Sequence, residues 1–223
     1  MTDPIHSLGR QLSANLDALS EISQNVANAS TPGYRAGRKA PTFADEVART
    51  AVDLSAGPRQ LTGRTLDLAI DGSGWFVVEG PDGARSLVRS ASFRVDADGV
   101  VRDVAGQTLL GESGPLHWGT SAVSWRDGQF VDAQGEALAA PLIVDAASAA
   151  LERTAGGGIR APESLIASTA GRVVPGSLEG SNVDPVGETV ALMQLTRHTE
   201  TLQRAVAIYD RLLDSGINRL GEH

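Results

Sequence analysis

The sequence predicts an α+β chain in which two long terminal helices flank an inserted antiparallel β module. Apolar residues recur with a seven-residue period near both ends of the chain, which is typical of helices that pair as coiled coils. The middle instead consists of short apolar segments separated by Asp-Gly and similar turn pairs, which is typical of antiparallel sheets. We therefore expect the two helices to pair as a coiled-coil-like stalk that carries the β module.

This pattern divides the 223 residues into five segments. They are an N-terminal stalk helix (1–34), a linker (35–60), the β-rich module (61–174), a second linker (175–183) and a C-terminal stalk helix (184–223).

The N-terminal helix is predicted to begin at Pro4, because a residue without an N–H group is well suited to the first helical position. Its heptad positions are mostly aliphatic: Ile5, Leu8, Leu12, Leu19, Ile22 and Val26. Asn15 interrupts this seam, and one polar residue at such a position can fix the register of paired helices. Thr31-Pro32-Gly33 predicts the end of the helix, since proline disfavours helix in the residue before it.

Turn pairs in the middle segment recur roughly every 8 to 12 residues, which favours a sandwich or a partly open barrel. The turns include Pro81-Asp82-Gly83, Asp98-Gly99 and Asp127-Gly128. We expect strands at 66–70, 75–79, 86–89, 91–95, 100–103, 107–110, 122–125 and 129–131, and a returning strand at 173–174.

The C-terminal helix is predicted to be capped by Asp184 and to begin at Pro185. Its seam consists of Leu192, Leu195, Leu202, Val206, Tyr209 and Leu213. An ordinary amphipathic helix packed on a globular core is the alternative interpretation of this periodicity. Two heptad helices at opposite ends of one chain favour pairing with each other or with copies of themselves.

Composition excludes several classes of protein. The chain has no cysteine, so neither a disulfide scaffold nor a cysteine zinc site can form. Its net charge of −8 argues against nucleic acid as a partner. No apolar run approaches the length of a membrane span, and the first residues lack the apolar core of a cleavable signal peptide. We expect no membrane insertion and no cleaved signal.

Residue patterns for catalysis or metal binding are also missing. The four histidines are far apart in the sequence, and no nucleophile elbow is present. Asp96-Ala97-Asp98-Gly99 begins like a calcium loop, but Gln107 occupies the position that needs a glutamate. We expect no enzyme activity, catalytic residue, metal, cofactor or small-molecule substrate.

Three motifs lie at 24–35, 66–78 and 178–186. They resemble motifs of the bacterial flagellar axial proteins. The segment 24–35 (QNVANASTPGYR) resembles the N-terminal motif of that family, and 178–186 (LEGSNVDPV) resembles its C-terminal motif. The segment 66–78 (LDLAIDGSGWFVV) resembles a stretch that rod and hook proteins share. The form of residues 180–183 is most similar to proximal rod subunits, then to distal rod subunits, and hook proteins rank third.

The resemblance implies a structural subunit of the basal-body rod in the periplasm. Such a subunit assembles through its terminal helices into a hollow, torque-transmitting shaft, with the β module outside. It also implies partners, namely other rod and hook proteins, copies of itself and the flagellar type III export apparatus. The residues implied in assembly are Asn25, Asn28, Thr31, Pro32, Gly33, Tyr34, Leu178, Glu179, Ser181, Asn182 and Val183.

Outside this family, the sequence is also compatible with a secreted β-domain binding protein that dimerises through its helices. A defined dimer at all concentrations would favour that alternative, and polymerisation would favour a rod subunit.

Overall fold

The computed structural model describes residues 4–39, 50–119, 122–146, 151–153, 158–161, 166–168 and 170–221. The chain divides into two compact units. The helical unit comprises Met1–Ala27 and Asp184–His223, and the β unit comprises Asn28–Val183.

The helical unit contains two helices, α1 (Pro4–Ala27) and α2 (Pro185–Gly221), which confirms the two predicted terminal helices. The N–H of Val186 donates to Asp184 Oδ1 over 3.1 Å, so Asp184 caps α2 as predicted. α1 ends at Ala27, ahead of the predicted stop at Thr31-Pro32-Gly33. A turn replaces the last predicted helical residues, since the N–H of Thr31 donates to Asn28 O.

Side-chain contacts among the described residues join α1 to α2. Gln11 Nε2 lies 3.4 Å from His198 Nε2, and Asn15 Nδ2 donates to Thr199 Oγ1 over 3.2 Å. Asn25 Nδ2 donates to Glu188 Oε1 over 2.9 Å. From Asn15 to Asn25 the residue number rises on α1, while the number of the partner falls from Thr199 to Glu188 on α2, so the two helices run antiparallel.

The β unit contains eighteen strands among its described residues. They are β1 (Gly37–Lys39), β2 (Thr50–Val52), β3 (Arg59–Leu61), β4 (Asp67–Asp71), β5 (Trp75–Glu79), β6 (Arg85–Val88), β7 (Ser90–Val95), β8 (Val101–Asp103), β9 (Thr108–Gly111), β10 (Gly114–Pro115), β11 (Ser124–Arg126), β12 (Gln129–Val131), β13 (Ile143–Asp145), β14 (Glu152–Arg153), β15 (Ile159–Arg160), β16 (Ile166–Ala167), β17 (Arg172–Pro175) and β18 (Ser177–Glu179).

Twelve of these strands form one antiparallel network with the main order β14-β15-β6-β5-β9-β8-β7-β4-β17, and β10, β13 and β16 join it at the side. Three two-stranded sheets complete the unit: β1-β2, β3-β18 and β11-β12. The chain is thus α+β with a large antiparallel sheet, as the sequence predicts.

The predicted turns connect paired strands. β5 and β6 pair across Pro81-Asp82-Gly83 with Phe76 opposite Val88, and β11 and β12 pair with Trp125 opposite Phe130. Asp127 and Gly128 both have positive φ, 50° and 84°, as a type I′ hairpin turn requires.

The predicted returning strand is β17, which pairs with β4 and places Val173 opposite Ile70. Strands also occur in both segments that the sequence predicts as linkers. β1 and β2 lie within 35–60, β3 begins there and ends at Leu61, and β18 lies within 175–183. Pairing of β3 with β18 satisfies backbone groups that a linker would leave to water.

The core is organised around β5, whose first four residues are all buried. Phe76 and Val78 belong to one apolar cluster, together with Phe93 and Leu109. Trp75 and Val77 belong to a second cluster. Successive side chains of a strand point to opposite faces, so β5 is covered on both. This explains why its sequence is continuously apolar.

Candidate functional site

The predicted assembly motifs meet at a buried cluster of polar residues in the β unit. We call Arg35, Arg89, Ser90, Glu179 and Asn182 the motif junction. Arg35 is the last residue of the N-terminal motif, Glu179 and Asn182 belong to the C-terminal motif, and Arg89 and Ser90 lie where β6 passes into β7.

The carboxylate of Glu179 lies between two arginine side chains. Arg35 donates to Glu179 Oε1 over 2.6 Å, and their side chains are only 2% and 4% exposed. Arg89 Nε lies 3.5 Å from Glu179 Oε2, and the N–H of Gly57 donates to Oε1 over 3.0 Å. Buried charges are tolerated when an opposite charge lies close by, and Glu179 is the counterion of both arginines.

Arg89 also binds the turn between β4 and β5. Its guanidinium donates to the carbonyl oxygens of Gly74, Gly72 and Ile70, the last two over 2.8 and 3.3 Å. It lies 5.9 Å from the centroid of the Trp75 ring, within the range of a cation–π contact. The side chain therefore fixes the turn to the rest of the motif junction.

Burial lowers the pKa of Arg89, because desolvation disfavours the charged guanidinium. Glu179 opposes this by raising the pKa of Arg89, whereas the positive charge of Arg35 lowers it further. Arginine titrates so far above neutrality that the group remains charged. The charged Arg89 side chain therefore needs the opposite charge of Glu179 at every physiological pH.

Backbone contacts fix the N-terminal motif to the C-terminal motif. The N–H of Gly33 donates to Glu179 O over 2.7 Å, and the N–H of Glu179 donates to Ser90 Oγ over 2.9 Å. Ser90 Oγ in turn donates to Leu68 O. Gly33 has a φ of +70°, and a Cβ atom built there would lie 2.7 Å from Ser90 N. Only glycine fits this close approach.

Both the oxygen and the nitrogen of the Asn182 side chain form hydrogen bonds within the β unit. Its Oδ1 accepts from the N–H of Ala36 over 2.6 Å. Its Nδ2 donates to the carbonyl oxygens of Asp53 and Ser55 over 3.0 and 2.9 Å. One residue thereby joins three chain segments that lie far apart in sequence.

The structure brings most of the predicted assembly motif together. Gly33, Tyr34, Leu178, Glu179, Ser181, Asn182 and Val183 all lie at or beside the motif junction. Tyr34 and Val183 pack together in a small apolar cluster with Ala36. Thr31 and Pro32 are exposed, and Asn28 accepts a hydrogen bond from Thr31 Oγ1. Asn25 is instead buried in the helical unit, where it donates to Glu188.

The assembly residues named from the sequence did not include Arg35, although segment 24–35 ends with it, and they did not include Arg89. Each shows a signal in the sequence. Arg35 follows directly on Gly33-Tyr34, and Arg89 interrupts the otherwise uncharged run Leu87–Phe93. A charged residue inside such a segment must find a partner if the segment is buried.

The helix seam is less buried than the core of the β unit. Leu12, Leu19 and Val26 are 39%, 39% and 42% exposed, and Val206 is 37% exposed. Ile22, Leu192, Leu195 and Leu202 are partly buried. The side chains of Ile5, Leu8, Tyr209 and Leu213 lie outside the described residues.

Within the described residues, His, Asp and Glu side chains nowhere gather in groups of three that could hold a metal ion. Neither described helix has both the length and the apolar character needed to cross a bilayer. The contacts of the motif junction are made to its own members and to the backbone, and they hold together segments that are far apart in the sequence.

Comparison with known proteins identifies the family of this chain. Residues 69–165 match the family model described as the flagellar hook protein FlgE/F/G D1 domain. Residues 174–220 match the model described as flagellar basal body rod FlgEFG protein C-terminal. The chain belongs to this family of flagellar rod and hook proteins, and it is a structural subunit of the rod or hook.

Individual relatives agree with this assignment. The chain is 28% identical to the flagellar basal-body rod protein FlgF of Salmonella typhimurium, over 94% of this chain and 95% of that protein. It is 32% identical to FlgF of Escherichia coli, where the alignment spans 52% of this chain and 51% of the relative. It is 27% identical to the rod protein FlgG of Bacillus subtilis, over 90% and 92% of the two chains.

Proposed function

We propose that this chain is a subunit of the proximal part of the basal-body rod, which it builds by self-assembly through its terminal helices. The form of residues 180–183 and the nearly full-length similarity to a FlgF protein support the proximal position. Its location is then the periplasmic rod, and its partners are other rod and hook proteins and further copies of itself. Export through the flagellar type III apparatus, without a cleaved signal, accounts for how it reaches them.

The observation that carries this proposal is the exposed apolar surface of the helical unit. Leu12, Leu19, Val26 and Val206 retain more than a third of their surface in the single chain. Burying apolar surface contributes about 25 cal/mol per Å², so contacts with helices of neighbouring subunits would stabilise an assembly. In our proposal the antiparallel pair of α1 and α2 is coiled-coil-like, and its outer apolar face packs against neighbours in a hollow shaft.

The motif junction has a supporting role in this proposal. A shaft that transmits torque needs subunits that do not deform, and the pairs formed by Arg35, Arg89 and Glu179 hold three segments of the β unit together. We propose that the motif residues at this site act in assembly by keeping the β unit rigid, and that Asn25 acts through α2.

Charged substitutions in the α2 seam test the proposal. Leu195→Asp and Leu202→Asp place a carboxylate at partly buried positions, and we expect both to abolish motility in cells that depend on this chain. Thr196→Asp adds the same charge at an exposed position of α2 and is expected to leave motility intact. Fluorescence of the tryptophans, all in the β unit, should show the same unfolding transition in every variant. Normal motility of the two leucine variants would refute a role for this seam.

Complementation distinguishes the proximal from the distal position. We expect the chain to restore motility to cells lacking the proximal rod subunit of the same species, and not to cells lacking the distal rod subunit. The similarity to a FlgG protein makes the distal rod the competing assignment. Rescue of only the second strain would establish it.

A further inference from the structure

Two buried amides lie in the interface between α1 and α2. Asn15 is 9% exposed and Asn25 is 1% exposed, and the Nδ2 of each donates to a side chain on α2. Thr199 Oγ1 accepts from Asn15 while its own proton goes to Leu195 O over 2.9 Å. The hydroxyl thus acts as donor and acceptor at once, and the pair is satisfied in this arrangement of the helices.

The two contacts lie at matching distances along the helices. Asn15 and Asn25 are ten residues apart, about 15 Å along α1 at a rise of about 1.5 Å per residue. Glu188 and Thr199 are eleven residues apart, about 16.5 Å along α2. Both hydrogen bonds therefore form together only at one axial position of the two antiparallel helices.

The apolar contacts alone do not select that position. Leucines recur seven residues apart on both helices, as in Leu12 and Leu19 and in Leu195 and Leu202. A slip of one heptad, about 10 Å, would again place leucines against leucines. It would, however, place Asn15 opposite Leu192 or Val206, and neither of these side chains can accept its hydrogen bond.

We infer that Asn15 and Thr199 determine the register in which α1 pairs with α2, and that Asn25 and Glu188 reinforce it. The apolar seam supplies attraction without a preferred axial position, and the polar pairs exclude the slipped alternatives. The two helices pair within one chain, so their register can be tested without polymerisation and for any position in the rod.

The register can be measured with two spin labels, because the chain has no cysteine of its own. Ser23→Cys and Thr201→Cys provide exposed attachment sites that are well separated along the helix axis. The distance between the labels, measured by double electron–electron resonance in the monomeric full chain, then changes directly when one helix slides. We expect one dominant distance in the otherwise unchanged protein.

Replacing the polar pair by an apolar one should release the register without weakening the helices. We expect the variant Asn15→Leu with Thr199→Val to show a second distance, corresponding to an axial slip of about 10 Å, while the helical circular dichroism signal melts no earlier. Adding Glu188→Leu removes the second contact and should enlarge the slipped population.

Two matched variants serve as controls. Thr196 is exposed, and its hydroxyl donates to Leu192 O as the hydroxyl of Thr199 donates to Leu195 O. Thr196→Val with Ser13→Leu therefore makes two similar polar-to-apolar changes at exposed positions outside the pair. It should retain one distance, as should the swapped pair Asn15→Thr with Thr199→Asn. An unchanged single distance in both apolar variants would overturn the inference, and so would slippage in the Thr196→Val control or a wild-type chain without a dominant distance.

Discussion

Arg35 and Glu179 are 144 positions apart in the sequence and form an ion pair of 2.6 Å that is almost completely shielded from water. Arg89 approaches the same carboxylate from another segment, 3.5 Å away. One negative charge therefore compensates two buried positive charges. The stability of the β unit should depend strongly on Glu179, because its removal would leave two guanidinium groups without a counterion.

We predict that Glu179→Gln destabilises the β unit by about 3–5 kcal/mol, the usual cost of removing one partner from a buried ion pair. Urea unfolding followed by tryptophan fluorescence measures this change, since Trp75 and Trp118 are buried in the same unit. The matched control is Glu79→Gln, which removes a carboxylate paired with Arg85 at the surface. Its cost should remain below about 1 kcal/mol.

Equal effects of the two substitutions would contradict this account, because burial is the main difference between the pairs. A large loss for Glu79→Gln would point instead to a general need for negative charge on the sheet.

Gly33→Ala tests the close approach between the N-terminal motif and β7. The positive φ of Gly33 costs a residue with a Cβ about 1–2 kcal/mol, and contact of that Cβ with Ser90 N adds a further 1–3 kcal/mol or so. Gly106 has a similar φ of +81° but open space where its Cβ would lie. Gly106→Ala should therefore show only the smaller, conformational cost in the same urea titration. Indistinguishable unfolding midpoints would mean that the backbone at Gly33 moves away without penalty.

Local sequence signals predicted the elements of this fold well. Heptad spacing and the Asp184-Pro185 pair identified α2, and Asp127-Gly128 identified a hairpin, because each depends on residues close together in the chain. Strand order was not predictable in this way. The pairing of β15 with β6 and of β17 with β4 joins segments separated by some 70 to 100 residues. Such contacts are decided by packing of the whole core.

The candidate site was predicted only in part for the same reason. Asn182 and Glu179 could be singled out through motifs, but nothing near Arg89 in the sequence indicates that it meets a glutamate 90 positions later. Strands β1, β2 and β3 were likewise hidden in a segment rich in glycine, proline and charge, because their pairing partners supply the order that their own sequence does not indicate.

The stability of the β unit in acid should depend on Asp96 and Asp71. A hydrogen bond from Arg102 holds the pKa of Asp96 below its ordinary value, and a hydrogen bond from Arg59 lowers the pKa of Asp71 in the same way. A carboxyl group whose pKa is lower in the folded than in the unfolded chain stabilises the fold above its unfolded pKa. That contribution is lost as the pH falls below about 4 towards the lowered folded pKa.

We therefore expect the urea midpoint to decline progressively below about pH 4. Asp96→Asn should make this decline shallower, and Arg102→Gln should do the same by removing the group that lowers the pKa. If the urea midpoint of both variants declined as steeply as that of the unsubstituted protein, other carboxyl groups would govern the acid transition.

Hydrogen exchange should separate the two units in the dilute monomer. The β unit has a core in which Phe76, Phe93 and Leu109 are at most 1% exposed, so its central amides open only with the unit as a whole. The helices have a partly exposed apolar face, and helices that lack tertiary burial are only marginally stable in water. The paired helices of the monomer should therefore open more often than the β unit. We expect amides in the first 30 or so and last 35 or so residues to exchange faster than those of β4, β5 and β7. In the assembled polymer the helix amides should become protected while the β unit changes little, because neighbours then cover the apolar face. Slow exchange along both helices in the dilute monomer would count against ordering coupled to assembly.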